Sequence, residues 1–253
     1  MTSSRFALAV GMTLALSAMA PGGSTAAPPV AAAPSVDPEA VTALKRMSAY
    51  LGTLTSFEIR SETSVELVME DDQKTEVDAT LHYVVHRPDG FLIEVASDRK
   101  VRQFFYDGKS LTISAPRLGY YATVSAPPTI RQTLDLASEK YDIALPMEDL
   151  FRWSDPDQAR TDMLKSAMVI GSATLGGIAC DQYAFREGDI DWQIWIARGD
   201  RPVPLKVVIS DRIDPARPEF VARLDWNTSP QISRSTFAFT PSAEAKAIRM
   251  AAQ

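Results

Sequence analysis

From Phe57 to Met69 every second residue is Phe57, Ile59, Ser61, Thr63, Val65, Leu67 and Met69, and the positions between carry Glu58, Arg60, Glu62, Ser64 and Glu66. Successive side chains on a strand point to opposite faces of a sheet. The alternation therefore predicts one long antiparallel-type strand with an apolar face and a wet face. It recurs over Glu76–His86, with Val77, Ala79, Leu81, Tyr83 and Val85 apolar, and resumes at Phe91, Ile93 and Val95 beyond a Pro88-Asp89-Gly90 turn. Shorter strands are predicted at Val101–Tyr106, Lys109–Ser114 and Gly119–Val124, with Asp107-Gly108 as the hairpin signal between the first two. Further strands are predicted at Met168–Gly171, Ile178–Arg186, Ile190–Ala197, Pro204–Asp211 and Glu219–Asn227.

Helical spacing occupies the rest. Asp37 is a good N-cap, Pro38 suits the first helical position, and Val41, Leu44, Met47 and Leu51 share one face. Past Ala126-Pro127-Pro128 the spacing turns helical again from Thr129, with Ile130, Leu134, Ala137 and Tyr141. A second piece, Pro146–Trp153, carries Met147, Leu150 and Phe151, and a third begins near Asp155-Pro156-Asp157. The prediction is a mainly β (α+β) fold of about eleven antiparallel strands. A helix precedes them, and a helical insertion over about residues 129–165 is placed to cover one face of the sheet.

The ends refine this picture. Arg5, an apolar run from Phe6 to Ala20 and small residues at Ser24-Thr25-Ala26 read as a secretory signal over residues 1–26, cleaved after Ala26. The apolar run falls short of the roughly 20 residues needed to span a bilayer. Residues 27–36, rich in Ala and Pro, read as a flexible linker, and 37–253 as one domain. The formal charge of −6 argues against nucleic acid as a partner. Cys180, the only cysteine, sits in an apolar strand and is expected to be a small buried hydrophobe.

Candidate chemistry is sparse. His82 and His86 are i, i+4, but on a strand that spacing separates them by roughly 13 Å, so they are expected to be solvated, as are Asp189 and Asp191 on their polar strand face. No nucleophile–base–orienter set, metal cluster or phosphate loop is recognisable, so neither an enzyme nor a cofactor is expected. What stands out is apolar surface.

Three segments resemble the LolA-type lipoprotein carriers. Leu81-His82-Tyr83-Val84-Val85-His86-Arg87-Pro88-Asp89-Gly90-Phe91 resembles their L-W-x-x-R-P-x-x-F stretch, and Asp107-Gly108-Lys109-Ser110-Leu111 their D-G-K-x-L hairpin. Phe237-Ala238-Phe239-Thr240-Pro241 resembles their final F-x-F-x-P strand. Arg201-Pro202-Val203-Pro204-Leu205-Lys206-Val207 also resembles the G-L-P-L-K strand of related lipid-handling domains, and the chain looks closest to a branch of predicted periplasmic proteins with this fold. Ser242 departs from the carriers' second proline, and the insertion is longer than theirs.

The resemblance implies an unclosed half-barrel whose helices lid a hydrophobic cavity. Cavity candidates are Ile59, Leu81, Tyr83, Phe91, Ile93, Tyr106, Leu111, Ile113, Leu134, Leu150, Phe151, Trp192, Ile194, Leu224 and Trp226; Trp153 would add to the insertion's apolar side. Arg87 is the implied lid latch, with Asp135 or Asp149 as lid partners, and Phe91→Glu is expected to impair loading while leaving the fold intact. The implied function is a non-catalytic periplasmic carrier that shields the acyl chains of a lipid or lipoprotein. It would act as a monomer between an inner-membrane donor and an outer-membrane acceptor. A sensor or partner-binding module is the alternative, and an enzyme of envelope lipids or glycans the remotest.

Overall fold

A computed structural model describes residues 35–143, 145, 147, 148, 150, 151 and 161–251. The expected signal at 1–26, linker residues 27–34, Pro146, Asp149, Trp153 and the Asp155-Pro156-Asp157 segment lie outside the described residues. Helix α1 (Pro38–Thr53) leads into β1 (Ser56–Val68), β2 (Lys74–His86), β3 (Gly90–Ala96), β4 (Val101–Tyr106), β5 (Ser110–Ala115) and β6 (Tyr120–Ser125). Helix α2 (Ile130–Tyr141) follows, then β7 (Leu164–Leu175), β8 (Ile178–Glu187), β9 (Ile190–Ala197), β10 (Pro204–Asp211), β11 (Glu219–Asn227) and β12 (Lys246–Ala247).

The twelve strands among the described residues belong to one sheet, ordered β12-β6-β5-β4-β3-β2-β1-β11-β10-β9-β8-β7. Two meanders, β1 to β6 and β7 to β11, are joined where β1 pairs antiparallel with β11, from Glu58–Asn227 to Val65–Phe220. The ends, β12 and β7, are not neighbours, so the sheet is unclosed, as expected of a half-barrel.

α1 forms where the sequence places it. Asp37 accepts a 2.8 Å hydrogen bond from the Glu39 N–H, satisfying one orphan donor of the first turn. Ala40, Ala43, Leu44, Met47, Ser48 and Leu51 make the buried side of the helix, which joins the sheet's inner face in a single core. Just upstream, Ser35 and Asp37 exchange backbone hydrogen bonds with Ala167 on β7, each 3.0 Å. Cys180 is buried, and desolvation raises its thiol pKa.

Several boundaries differ from the alternation. Strand β7 spans Leu164–Leu175 rather than Met168–Gly171, because register shifts at Leu164/Ser166 and Val169/Gly171 interrupt its two-residue period; Leu164 and Lys165 are strand rather than insertion. The two-residue β12 raises the count above eleven by pairing parallel with Tyr120 and Tyr121. Phe237–Pro241 is not a strand. Arg234–Phe237 is a short 3-10 turn, and the segment straps the outer face instead. Phe237 is 1 % exposed and its ring occupies the space where a Gly90 side chain would begin. Phe239 lies 5.2 Å from the Phe105 ring and 5.0 Å from that of Tyr121.

Asp191, expected to be solvated, is the hub of an ion network. Arg186 approaches it at 2.6 and 2.9 Å, Arg217 at 2.8 Å and Arg212 at 3.6 Å. The Arg186 hydrogen bonds foremost, then that of Arg217, hold its carboxyl below the usual carboxylate range despite some desolvation.

Two stability predictions follow from these contacts. Phe237→Ala should lower the urea-unfolding free energy by about 3 kcal/mol, the usual loss for a fully buried aromatic ring. A depressed folded-state pKa contributes stability above the unfolded-state value that is lost as pH falls through the folded one. Asp191→Asn should therefore destabilise by about 0.5–1 kcal/mol at pH 7, with the gap to wild type closing as both are titrated below the carboxylate range.

Candidate functional site

The inner face of the sheet is built in cross-strand rows. One runs Phe57, Val85, Phe91, Tyr106 and Leu111; the next joins Trp226, Ile59, Tyr83, Ile93 and Phe104. A third sets Leu224 beside Ser61 and Leu81, and on the other wing Ile194 stands opposite Val207 and Tyr183. The structure thus brings the candidate residues together. Ile59, Leu81, Tyr83, Phe91, Ile93, Tyr106, Leu111, Leu134, Leu150, Trp192, Ile194 and Leu224 are buried in one cluster, against which Ile113, Phe151 and Trp226 pack partly buried. Phe91 sits 5.3 Å from Tyr106 and 6.3 Å from Phe151, ring centre to ring centre. The Trp226 indole N–H donates to the Pro204 carbonyl at 2.7 Å, so the Pro204-Leu205-Lys206 corner anchors the base of this wall.

Phe91 has no exposed surface, so Phe91→Glu would place an unpaired carboxylate in the core and disrupt the fold rather than spare it. The insertion is stapled to the sheet by polar contacts as well as by Ile130, Leu134 and Ala137. The Tyr106 hydroxyl donates to the Pro127 carbonyl at 2.6 Å, and the Ile130 N–H donates to the Pro88 carbonyl at 2.8 Å. Burial raises the pKa of the Tyr83 phenol, keeping it neutral, and the buried Ser48 and Ser61 hydroxyls have no hydrogen-bond partner among the described residues.

Arg87 is seated at the end of α1. Its Nη1 donates to the carbonyls of Leu51 at 2.8 Å and Leu54 at 3.2 Å, and its guanidinium lies 5.4 Å from the centre of the Phe57 ring. Asp135 is exposed on α2, and Asp149 lies outside the described residues. The terminal carbonyls of a helix lack intrahelical donors and carry its negative dipole end, so the end of α1 is a natural seat for a cation. Desolvation lowers the pKa of this guanidinium, which remains a cation at neutral pH.

The histidines are paired rather than simply solvated. His82 Nε2 is 2.8 Å from Glu58 Oε1, and His86 Nδ1 is 2.8 Å from the Ser56 hydroxyl. The His82 hydrogen bond foremost, and the charges of His82 and Arg60, lower the Glu58 pKa. A hydroxyl beside an imidazole is the first element of a nucleophile–base pair, but the nearby carboxylate of Glu58 engages His82 and Arg60 rather than His86. Among the described residues, no group of three or more His, Cys, Asp or Glu side chains is placed to hold a metal ion. No helix among them is long and apolar enough to cross a membrane.

The β1–β2 ladder continues to Val68–Lys74, whereas β11 leaves β1 at Val65 and β3 leaves β2 at Thr80. The hairpin therefore projects beyond both neighbours as a two-stranded arm, and the inner-face apolar series emerges from cover along it. Val65 is 36 % exposed, Leu67 46 % and Met69 48 %, with Val77 and Phe220 half-buried beside Val65. The mismatch in strand lengths was the readable signal: the alternation of Phe57–Met69 outruns its predicted neighbours.

Removing the α1 clamp should be measurable. Arg87→Met should cost about 2 kcal/mol, since a buried charged donor is lost and two carbonyls are left without it. Hydrogen exchange should accelerate in the last turn of α1, with little change in β7–β11.

The model of the family described as "Predicted periplasmic protein (DUF2092)" matches residues 40–251, and the chain belongs to that family. No curated protein matches the sequence significantly. Among solved structures, LprF from Mycobacterium bovis is similar at 16% identity and a TM-score of 0.45, over 84% of this chain and 100% of that one. Mycobacterium tuberculosis lipoprotein LppX is similar at 10% identity and a TM-score of 0.40, over 78% and 100%. A LolA superfamily protein from Nitrosomonas europaea is similar at 9% identity and a TM-score of 0.36, over 79% and 97%.

Proposed function

We propose that this member of a periplasmic family is a non-catalytic carrier that shields the acyl chains of a lipid or lipoprotein on the inner face of its half-barrel. The observation that carries the reading is the strip Val65, Leu67 and Met69, exposed along the arm and continuous through Val65 and Phe220 with the buried core. Apolar surface left in water on the hollow side of a sheet is a binding site for apolar matter. Each CH₂ that an acyl chain buries there contributes about 0.8 kcal/mol. A chain entering further would displace α2 rather than α1, which Arg87 and the Ala167 bridge hold at its two ends. In this reading the protein works as a monomer between an inner-membrane donor and an outer-membrane acceptor. A partner-binding module without a transport role is the second reading, favoured by the projecting arm.

The test uses the exposed strip, where a charge spares the core. In a titration with a fluorescent fatty acid, Leu67→Glu combined with Met69→Glu should weaken binding about tenfold, the worth of two half-exposed apolar side chains. Its unfolding midpoint should match wild type. Equal affinity in the variant, or no binding by the wild-type protein, would reject the carrier reading.

A further inference from the structure

The arm has a second property, independent of lipid binding. Strand alternation turns the backbone N–H and C=O of consecutive residues to opposite sides. Arg87 N–H bonds to the Thr55 carbonyl and the Gln73 carbonyl accepts from Met69 N–H, so odd-numbered residues of β2 turn toward β1. Even-numbered residues turn the other way, and the β3 ladder reaches only to Thr80–Ala96. The backbone donors and acceptors of Lys74, Glu76 and Asp78 therefore face an open edge with no pairing strand among the described residues.

A groove of about 890 Å³ opens along this stretch, reaching the β3–β4 turn at Ser97–Arg99 and, on the outer face, Glu62 and Arg223. Its charged lining is Glu62, Glu76, Asp78 and Asp98 against Arg99 and Arg223, an acidic balance. The turn that closes the arm adds Glu70, Asp71 and Asp72. On the inner face the same stretch presents Val77 and Ala79.

We propose that the free edge of β2 over Lys74–Asp78 binds an extended peptide segment of a partner protein by strand addition, the segment alternating basic and small apolar side chains. Main-chain hydrogen bonds to Lys74, Glu76 and Asp78 supply the docking, and the alternation supplies the selectivity. Basic side chains of the added strand fall on the outer face beside Glu76 and Asp78, and the intervening ones beside Val77 and Ala79. The acidic lining attracts a cationic segment and repels an acidic one. Glu76 and Asp78 also keep the vacant edge from pairing with a second copy, since like charges would meet across the join.

The experiment titrates the full-length mature protein with an acetylated Lys-Val-Lys-Val-Lys-Val peptide and, separately, with its Glu-Val counterpart, reading backbone amide shifts and hydrogen exchange by NMR. The proposal expects the Lys-Val peptide to slow exchange selectively at the amides of Lys74, Glu76 and Asp78, and the Glu-Val peptide to leave them unchanged. Glu76→Lys with Asp78→Lys, both exposed and outside the core, should weaken the Lys-Val peptide by about tenfold or more through loss of charge-assisted contacts. Fatty-acid binding by that variant should match wild type, which separates failure of this proposal from failure of the carrier reading. Binding without protection of those three amides, or equal binding of both peptides, overturns it. Concentration-dependent protection of the same amides without peptide also overturns it, assigning the edge to a second copy.

Discussion

The antiparallel ladder between β1 and β11 is the constraint on which the rest of the structure depends. Each meander is made of sequential hairpins, and this pairing of distant segments joins them into one curved wall. It puts Trp226 beside Ile59 and Leu224 beside Ser61, and one row crosses the whole join, from Ala79 on β2 through Thr63 and Ala222 to Val207 on β10 and Ile194 on β9. Closing so long a loop carries an entropic cost that grows only slowly with its length, and the long one-sided pattern of β1 leaves a single register that keeps its apolar residues inward. α1 then lies against the combined inner face, tethered at Ala167 on one wing and at Arg87 on the other.

Much of this was legible. The two-residue period located the long strands because their burial is one-sided, and β9, β10 and β11 have the bounds that the alternation predicts. Strand β7 was read short because two register shifts break its period without ending its pairing. Phe237 and Phe239 resembled a strand because spaced aromatics bury equally well as a strap across an outer face. Arg87 binds the Leu51 and Leu54 carbonyls, and backbone acceptors at a helix end leave no mark in side-chain spacing. The apolar candidates do converge, yet convergence alone does not separate a packed core from a lined cavity, since both need the same residue types.

That distinction gives the arm its importance. Side chains beneath α1 and α2 are engaged with one another, whereas Leu67 and Met69 carry the same inner-face pattern into solvent. A two-stranded ribbon has little independent stability, so the arm holds its shape as a continuation of the sheet. Its apolar face, acidic turn and open β2 edge are three different kinds of surface within a few residues.

The β1–β11 ladder also sets an order of events during synthesis. A chain made N-terminus first delivers the β1–β6 meander well before β11 follows. Over that interval one side of β1 is an unsatisfied template with half a hydrophobic wall behind it, the condition under which nascent β-proteins associate wrongly. The late arrival of Glu219–Asn227 completes the sheet, so truncation just before β11 should yield chains that depend on a holding chaperone, while loss of the residues beyond Ile248 should leave assembly intact.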